Sequence, residues 1–379
     1  MHLERFRSLV TAPGPFASMY FDDSRNTADS LEQLQRRWRH HRAHLERLGV
    51  DENVVVALEQ EVLHHEPPVG RRGRAVIASG DRILVSETLA RPPSSTVVRW
   101  SDYPYLLPLA ALEMSWPTYV FAAIDHVGAN ITVHEGGTGR SETVGGEGYP
   151  VHKPVTAGWN GYADFQRTTE EAVRMNVRAV ADRLIQLVDQ VGAEVVFVCG
   201  EVSARTAVVS ALPDRVAARV SQLHAGARTS RVDDDYVREF IESEFTRRRD
   251  AEISDVAHMF LAQTGRRSGL AAEGLAAVCA ALRAGDVDTL IVGQLGDATV
   301  VTGRSRATLA PDADTLSELG EPVYRVARAD EALPFAAVLA RAALVPADDS
   351  ISPADGIGAL LRYAAAEQQE FAARAHEGR

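Results

Sequence analysis

The apolar positions of this chain change period several times between its first and last residues. Ala17 to Phe21 is a short apolar run behind Pro15 and reads as a strand. Asp29 to Leu48 and Glu52 to His64 carry a helical period, and Asp51 suits an N-cap position. Arg74 to Ala78 and Arg82 to Leu89 flank Ser79-Gly80-Asp81, which predicts a hairpin. Pro117 marks a fresh start. Thr118 to Asp125 and Asn130 to Glu135 form a second predicted hairpin around Val127-Gly128-Ala129, and Gly136-Gly137-Thr138-Gly139 reads as a turn because it lacks the spacing of a nucleotide-binding loop.

From Pro154 to Leu184 a glycine- and aromatic-rich loop runs into a long helix. Val173, Val177, Val180, Leu184 and Leu187 recur at steps of three and four, which gives that helix one apolar face. Thr168-x-x-Glu171 fits a capping box at the helix start, and Glu170 can pair with Arg174 on the wet face. Ala193 to Cys199 is a continuous apolar run, as expected of a parallel strand covered on both faces. A helix near Ser203 to Leu212 and a strand near Arg215 to Leu223 complete a βαβ-like unit. A long helix is predicted from Asp233 to about Gln263, then a helix from Leu270 to Ala284 ended by Gly285, a strand from Asp288 to Gly293 and a helix from Ala332 to Ala343. The pattern predicts an α/β chain of three domains, spanning 1–113, 117–250 and 251–379.

With 379 residues, 45% of them hydrophobic and 24% charged, the composition is that of a globular protein with room for several cores. No apolar run approaches the length that crosses a bilayer, and MHLERFRSLV lacks the apolar core of a signal peptide, so a cytoplasmic location is expected. Cys199 and Cys279 lie in apolar surroundings that favour burial over redox or metal chemistry. The net charge of −12 argues against a nucleic-acid partner until its distribution is considered. Gln35 to Arg47 holds Arg36, Arg37, Arg39, Arg42 and Arg47 with three histidines and a single acid, Glu46. A second basic knot, Arg71, Arg72 and Arg74, falls in a predicted turn, and a third is Arg247-Arg248-Arg249. Acidic residues gather late, among them Asp312, Asp314, Glu318 and Glu321. A solvated helix face is the ordinary explanation for the early arginines, and RNA phosphate is its natural competitor.

The loop carries the clearest candidate chemistry. Trp159 and Tyr162 flank Asn160 between Gly158 and Gly161, and aromatic rings on such a loop suit stacking on a base or packing in a cleft. His152 and Lys153 at its entrance add donors for phosphate. Asp125 ends a strand where a nuclease of the ribonuclease H type places a metal-binding carboxylate. A two-metal site needs several converging carboxylates, and none can be assigned as its partner. His64-His65-Glu66 places two histidines in different directions on a helix. No G-x-S-x-G occurs. No catalytic residue, metal or cofactor is expected.

Taken in order, these segments resemble the archaeal and eukaryotic class-one release factors, their rescue relative Pelota and their bacterial cousins, across nearly the whole chain. In release factors a G-G-Q-S-A-x-R-F loop enters an arginine-rich helix with N-x-V-R-x-V-A. Here Phe165 is followed by Asn176-Val177-Arg178-Ala179-Val180-Ala181-Asp182 in step with that helix. Gly356-Ile357-Gly358-Ala359-Leu360-Leu361-Arg362-Tyr363 is similar to the family's closing G-I-G-G-I-L-R-Y, and Ser268 to Gly293 to the opening of its third domain. The resemblance implies an N-terminal decoding-site α/β domain, a ribonuclease-H-like middle domain and an L7Ae-like α/β/α C-terminal domain. Counting back from Phe165 without gaps, Gly158-Trp159-Asn160 stands where the family has Gly-Gly-Gln, and the N-I-K-S stop-codon loop is absent. The closest likeness is to the bacterial branch, including actinobacterial proteins similar to the Balon hibernation factor. It implies a non-enzymatic hibernation or stress factor in the vacant A site of the 70S ribosome. Arg36, Arg37, Arg39, Arg42, Arg71, Arg72 and Arg74 would meet 16S rRNA near the decoding centre. His152, Lys153, Gly158, Trp159, Asn160, Gly161 and Tyr162 would meet 23S rRNA at the peptidyl-transferase centre. Elongation factor Tu or another translational GTPase would face the C-terminal domain, with no membrane or DNA partner. The alternatives are peptidyl-tRNA hydrolysis through Asn160 and a ribonuclease using Asp125.

Overall fold

In the computed structural model, every residue of β1 (Phe16–Asp22) but the last is buried, because a different core covers each face. Alternate side chains point to opposite faces of a strand. Ala17, Met19 and Phe21 pack against Leu34, Trp38 and Leu45 of α2 (Ser30–Arg47) and against Val54, Leu58 and Val62 of α3 (Glu52–His64). Phe16 and Tyr20 face a second core with Phe6, and with Leu9 of α1 (Arg7–Thr11). The predicted hairpin forms as β2 (Gly73–Ser79) and β3 (Arg82–Leu89), and β4 (Val97–Ser101) completes a sheet of order β3-β2-β1-β4 before α4 (Leu107–Leu112).

The structure describes residues 6–24, 30–65, 71–112, 117–135, 138–145, 162–224 and 234–364. The chain divides into two compact units, one made of 1–114 with 251–379 and the other of 115–250.

The middle unit is a five-stranded sheet. β5 (Tyr119–Ile124), β6 (Gly128–Glu135) and β7 (Thr138–Gly145) form an antiparallel meander. After α5 (Tyr162–Val191), β8 (Val195–Gly200) pairs parallel to β5; α6 (Val202–Ala211) and α7 (Asp214–Ala217) lead to β9 (Val220–Gln222), parallel to β8. The order is β7-β6-β5-β8-β9 with β6 alone reversed, the arrangement expected of a ribonuclease-H-like domain. All six residues of β8 are buried: Val196 and Val198 face Val180, Leu184 and Leu187 of α5, while Val195 and Phe197 face Ile241 and Phe240 of α8 (Asp234–Arg266). Three expectations are corrected. α5 starts at Tyr162, so Thr168 lies inside the helix rather than at its cap, and the polar run 138–145 is an exposed strand rather than the end of a turn. The strand expected near Arg215 to Leu223 is confined to β9, because Asp214–Ala217 is helical.

The remaining segment begins with β10 (Ala271–Glu273), where the composition predicted helix; α9 (Leu275–Ala284) follows and ends at Gly285, in the left-handed region. Then come β11 (Val287–Val292), β12 (Thr299–Thr302), β13 (Leu309–Ala310), α10 (Ala313–Glu318), β14 (Arg325–Arg328), α11 (Ala329–Leu339), β15 (Ala343–Pro346) and β16 (Ile357–Leu361). The main sheet has the order β10-β16-β11-β15, and β13-β12-β14 form a smaller one. Leu290 and Val292 share a core with Val278 of α9 and Leu333 of α11, while Ile291 and Leu360 pack against Ala257 and Phe260 of α8. This is an α/β/α sandwich. The core beneath α9 and α11 is continuous with the one beneath Phe16 and Tyr20, so the first and last segments share one hydrophobic interior.

Candidate functional site

The arginine helix α2 buries Leu34, Trp38, His41 and Leu45, spaced by four and three, and presents its guanidinium groups elsewhere. Those groups divide by their partners. Arg42 reaches Glu46, Glu52 and Glu59 at 3.0, 2.6 and 2.8 Å, and these carboxylates, Glu46 foremost, hold it above the ordinary arginine value. Arg37 donates to the Asp22 carbonyl at 2.8 Å and Arg47 to that of Ala43 at 3.2 Å. Arg36 and Arg39 are exposed and form no ion pair among the described residues. Gln33, Arg36, Arg37 and His40 line a cleft of about 390 Å³ with Asp22 and Thr96. His41, beneath that face, is pushed down to about 4 by burial and then by the positive neighbours His40, Arg37 and His44.

The basic knot expected in a turn at 70–74 is corrected. Arg74 lies within β2, and its Nη2 donates to Glu61 Oε1 at 2.7 Å and Ser86 Oγ at 2.6 Å. Arg72 is buried and donates to the Ala90 carbonyl at 2.8 Å; only Arg71 of the three is exposed. Burial opposes the charge on Glu61, but Ser86 and Arg74 outweigh it and hold the carboxyl below its usual range. In the third knot, Arg247 and Arg248 both reach Glu244 at 2.8 Å. His64 and His65 look to separate partners, the Gln60 carbonyl at 3.1 Å and Asp23 Oδ2 at 2.6 Å.

His152, Lys153, Gly158, Trp159, Asn160 and Gly161 lie outside the described residues, as does the side chain of Tyr162, whose backbone opens α5. What the structure does show is how that helix is tied down. Asn176, 3% exposed, donates from Nδ2 to the His126 carbonyl at 3.0 Å. His126 Nδ1 meets Glu201 Oε2 at 2.9 Å, and Ser203 Oγ donates to Glu201 Oε1 at 2.9 Å. His126, then Ser203, hold the Glu201 carboxyl below its usual range. Asp125 Oδ1 accepts the N–H groups of Val127 and Gly128 at 2.8 and 2.9 Å, so this carboxylate shapes the turn between β5 and β6. Gly200, at φ +112°, lets Glu201 start here: a Cβ would stand 2.0 Å from the Ile124 carbonyl oxygen. The cluster lies at the carboxyl ends of β5 and β8, the edge where α/β sheets gather ligands. Among the described residues, no group of three or more histidine, cysteine or carboxylate side chains is placed to hold a metal. Asn176 sits in the helix motif read from the sequence. The residues it organises are 50 and 75 positions apart, so no local pattern marked them.

The family model described as bacterial archaeo-eukaryotic release factor family 2 matches residues 118–266, from the start of the middle sheet to the end of α8. Two uncharacterized proteins of Mycobacterium tuberculosis, Rv2629 of strain H37Rv and MT2704 of strain CDC 1551, are each 62% identical over 365 residues, covering 96% of this chain and 98% of their own. Among solved structures, Archaeoglobus fulgidus Pelota is 12% identical, covering 95% of this chain and 92% of that one at a TM-score of 0.37. The family-model match defines the class as release-factor-like. Within it, residues 118–266 are those of a bacterial archaeo-eukaryotic release factor-like protein, and over nearly its whole length the chain shares a family with the two mycobacterial proteins.

Proposed function

We propose that this protein binds the 70S ribosome in a vacant A site and holds it idle without releasing peptide. The observation that carries this reading is Gly158-Trp159-Asn160, which by an ungapped count back from Phe165 stands where release factors have Gly-Gly-Gln, in a chain whose residues 118–266 match a release-factor-like family. Trp159 lacks the freedom a glycine has at positive φ, and Asn160 is one methylene shorter than glutamine. The loop therefore works as a plug at the peptidyl-transferase centre. Stacking of Trp159 or Tyr162 on a base contributes roughly 1–3 kcal/mol. Toward the decoding centre, Arg36 and Arg39 supply the phosphate contacts, with Arg37 and Arg71 beside them, while Arg42, Arg72 and Arg74 serve the fold. The C-terminal segment faces elongation factor Tu or another translational GTPase, and the protein works in the cytoplasm.

Co-sedimentation with purified 70S ribosomes at near-physiological salt, with and without elongation factor Tu, tests the reading. Binding with no peptide released from charged ribosomes is the expected result. Absence from the ribosomal pellet in both conditions refutes it. Peptide release that Asn160→Ala abolishes replaces it with a rescue function, and binding unaffected by Trp159→Ala removes only the plug.

A further inference from the structure

Within the unit formed by the first and last segments, a second cleft of about 250 Å³ opens where the chain around Pro13 and Asp102 meets β12 and β14. Its lining includes Arg304, Arg306, Arg325, Tyr324 and Thr302. In an acidic chain, three arginines around so small a space need an explanation. Arg325 has one, an ion pair with Asp102. The other two do not.

Arg306 is held in place from several sides. Its Nη2 donates to the Ala12 carbonyl at 2.9 Å, and its guanidinium lies 5.0 Å from the centre of the Phe335 ring. Its Nη1, although buried, has no hydrogen-bond partner among the described residues. An unsatisfied charged donor away from water is costly. Arg304 is exposed and forms no ion pair among the described residues. Beside them Tyr324 is 59% exposed, with the Arg325 guanidinium 5.2 Å from the centre of its ring. At Gly303 the wall is bare backbone, and Glu321 Oε2 comes within 3.0 Å of where a side chain would begin. Together the arginines and Tyr324 supply cations for a phosphate and an exposed aromatic ring for a base.

We propose that this cleft binds a nucleotide, with its phosphate between Arg304 and Arg306 and its base on Tyr324. The nucleotide is either a free nucleoside 5′-phosphate or the 5′-terminal residue of an RNA, since the recognising chemistry is the same. The proposal stands apart from ribosome binding.

Isothermal titration calorimetry on the full chain tests it, with adenosine 5′-monophosphate, guanosine 5′-monophosphate, adenosine, inorganic phosphate, and a short RNA carrying either a 5′-phosphate or a 5′-hydroxyl. The monophosphates should bind roughly tenfold or more tightly than adenosine or phosphate alone, because each lacks one half of the recognition. Arg304→Ala and Tyr324→Ala should each weaken binding roughly tenfold without lowering the melting temperature, and the distant exposed Arg266→Ala should leave it unchanged. If the 5′-phosphorylated RNA matches the monophosphates and the 5′-hydroxyl RNA does not, the ligand is an RNA end; if only the monophosphates bind, it is a free nucleotide. No binding in the millimolar range, or binding indifferent to both Arg304→Ala and Tyr324→Ala, overturns the proposal.

Discussion

Arg99→Ala gives the sharpest test of how the first and last segments are held together. Arg99 of β4 reaches Asp330 at 3.0 Å and Glu331 at 2.9 Å, both in the first turn of α11. Its guanidinium also lies 3.6 Å from the centre of the Tyr105 ring. Burial disfavours the charge on Arg99, but Glu331 and Asp330 outweigh it and raise its pKa. Without Arg99, Asp330 keeps Arg328, at 3.0 Å. Glu331, only 2% exposed, keeps, among the described residues, the Ser101 hydroxyl at 2.5 Å. One stranded buried carboxylate costs about 3 kcal/mol, at the low end of what breaking a buried pair costs. Losing the contact with Tyr105 adds about 0.5–1 kcal/mol, so the expected total is about 3–4 kcal/mol. Urea unfolding followed by tryptophan fluorescence measures it. In a Trp116→Phe, Trp159→Phe background only Trp38 and Trp100 remain of the four tryptophans, and both lie in this unit. A loss below about 1 kcal/mol would refute the reasoning, because Glu331 would then not depend on Arg99. The double variant Arg99→Met, Glu331→Leu should recover most of the loss, since no charge is left stranded.

Three further outcomes follow from the same contacts. Arg36→Gln and Arg39→Gln should each lower the salt dependence of ribosome binding by about one counterion, while Arg42→Gln should leave the slope unchanged and lower stability instead. His41, held down to about 4 in the folded chain, takes up its proton more readily when unfolded; stability should therefore fall as pH drops from about 6.5 to about 4, by an amount on the order of 3 kcal/mol. His41→Phe should remove that part of the pH profile, and a melting profile unchanged by the substitution would contradict the assignment. Gly200→Ala should destabilise the middle unit by more than about 3 kcal/mol, read as lost soluble expression or a lowered melting temperature, because strain at positive φ adds to the collision with Ile124.

Much of the fold is legible in the sequence wherever burial imposes a period. The 3.6-residue stripe of α5, the doubly covered run of β8 and the two hairpins follow directly from their apolar positions. β7 escapes because TGRSETVG has no apolar face to reveal it; it pairs through its backbone and stays largely exposed. β10 reads as helix because alanine-rich sequence suits one, until Gly274 at φ +83° breaks the path. Composition located the arginines but could not show which were engaged: Arg42, Arg72 and Arg74 find acceptors 10 to 18 residues away in the chain, and only folding pairs them. The tie from Asn176 to His126 and on to Glu201 is longer-ranged still.

The shared interior of the first and last segments also sets an order of assembly. Residues 115–250 form a unit that carries all of its own strand partners and is complete before the last third of the chain is made. The other unit cannot close until residues from 251 onward join the core of Phe16 and Tyr20, so until then that face of the β1 sheet is covered only by the first segment's own Phe6, Leu9, Leu106 and Leu109. A nascent chain therefore finishes from the middle outward, and synthesis halted soon after residue 250 would yield a sound central unit flanked by a sticky, half-built sheet.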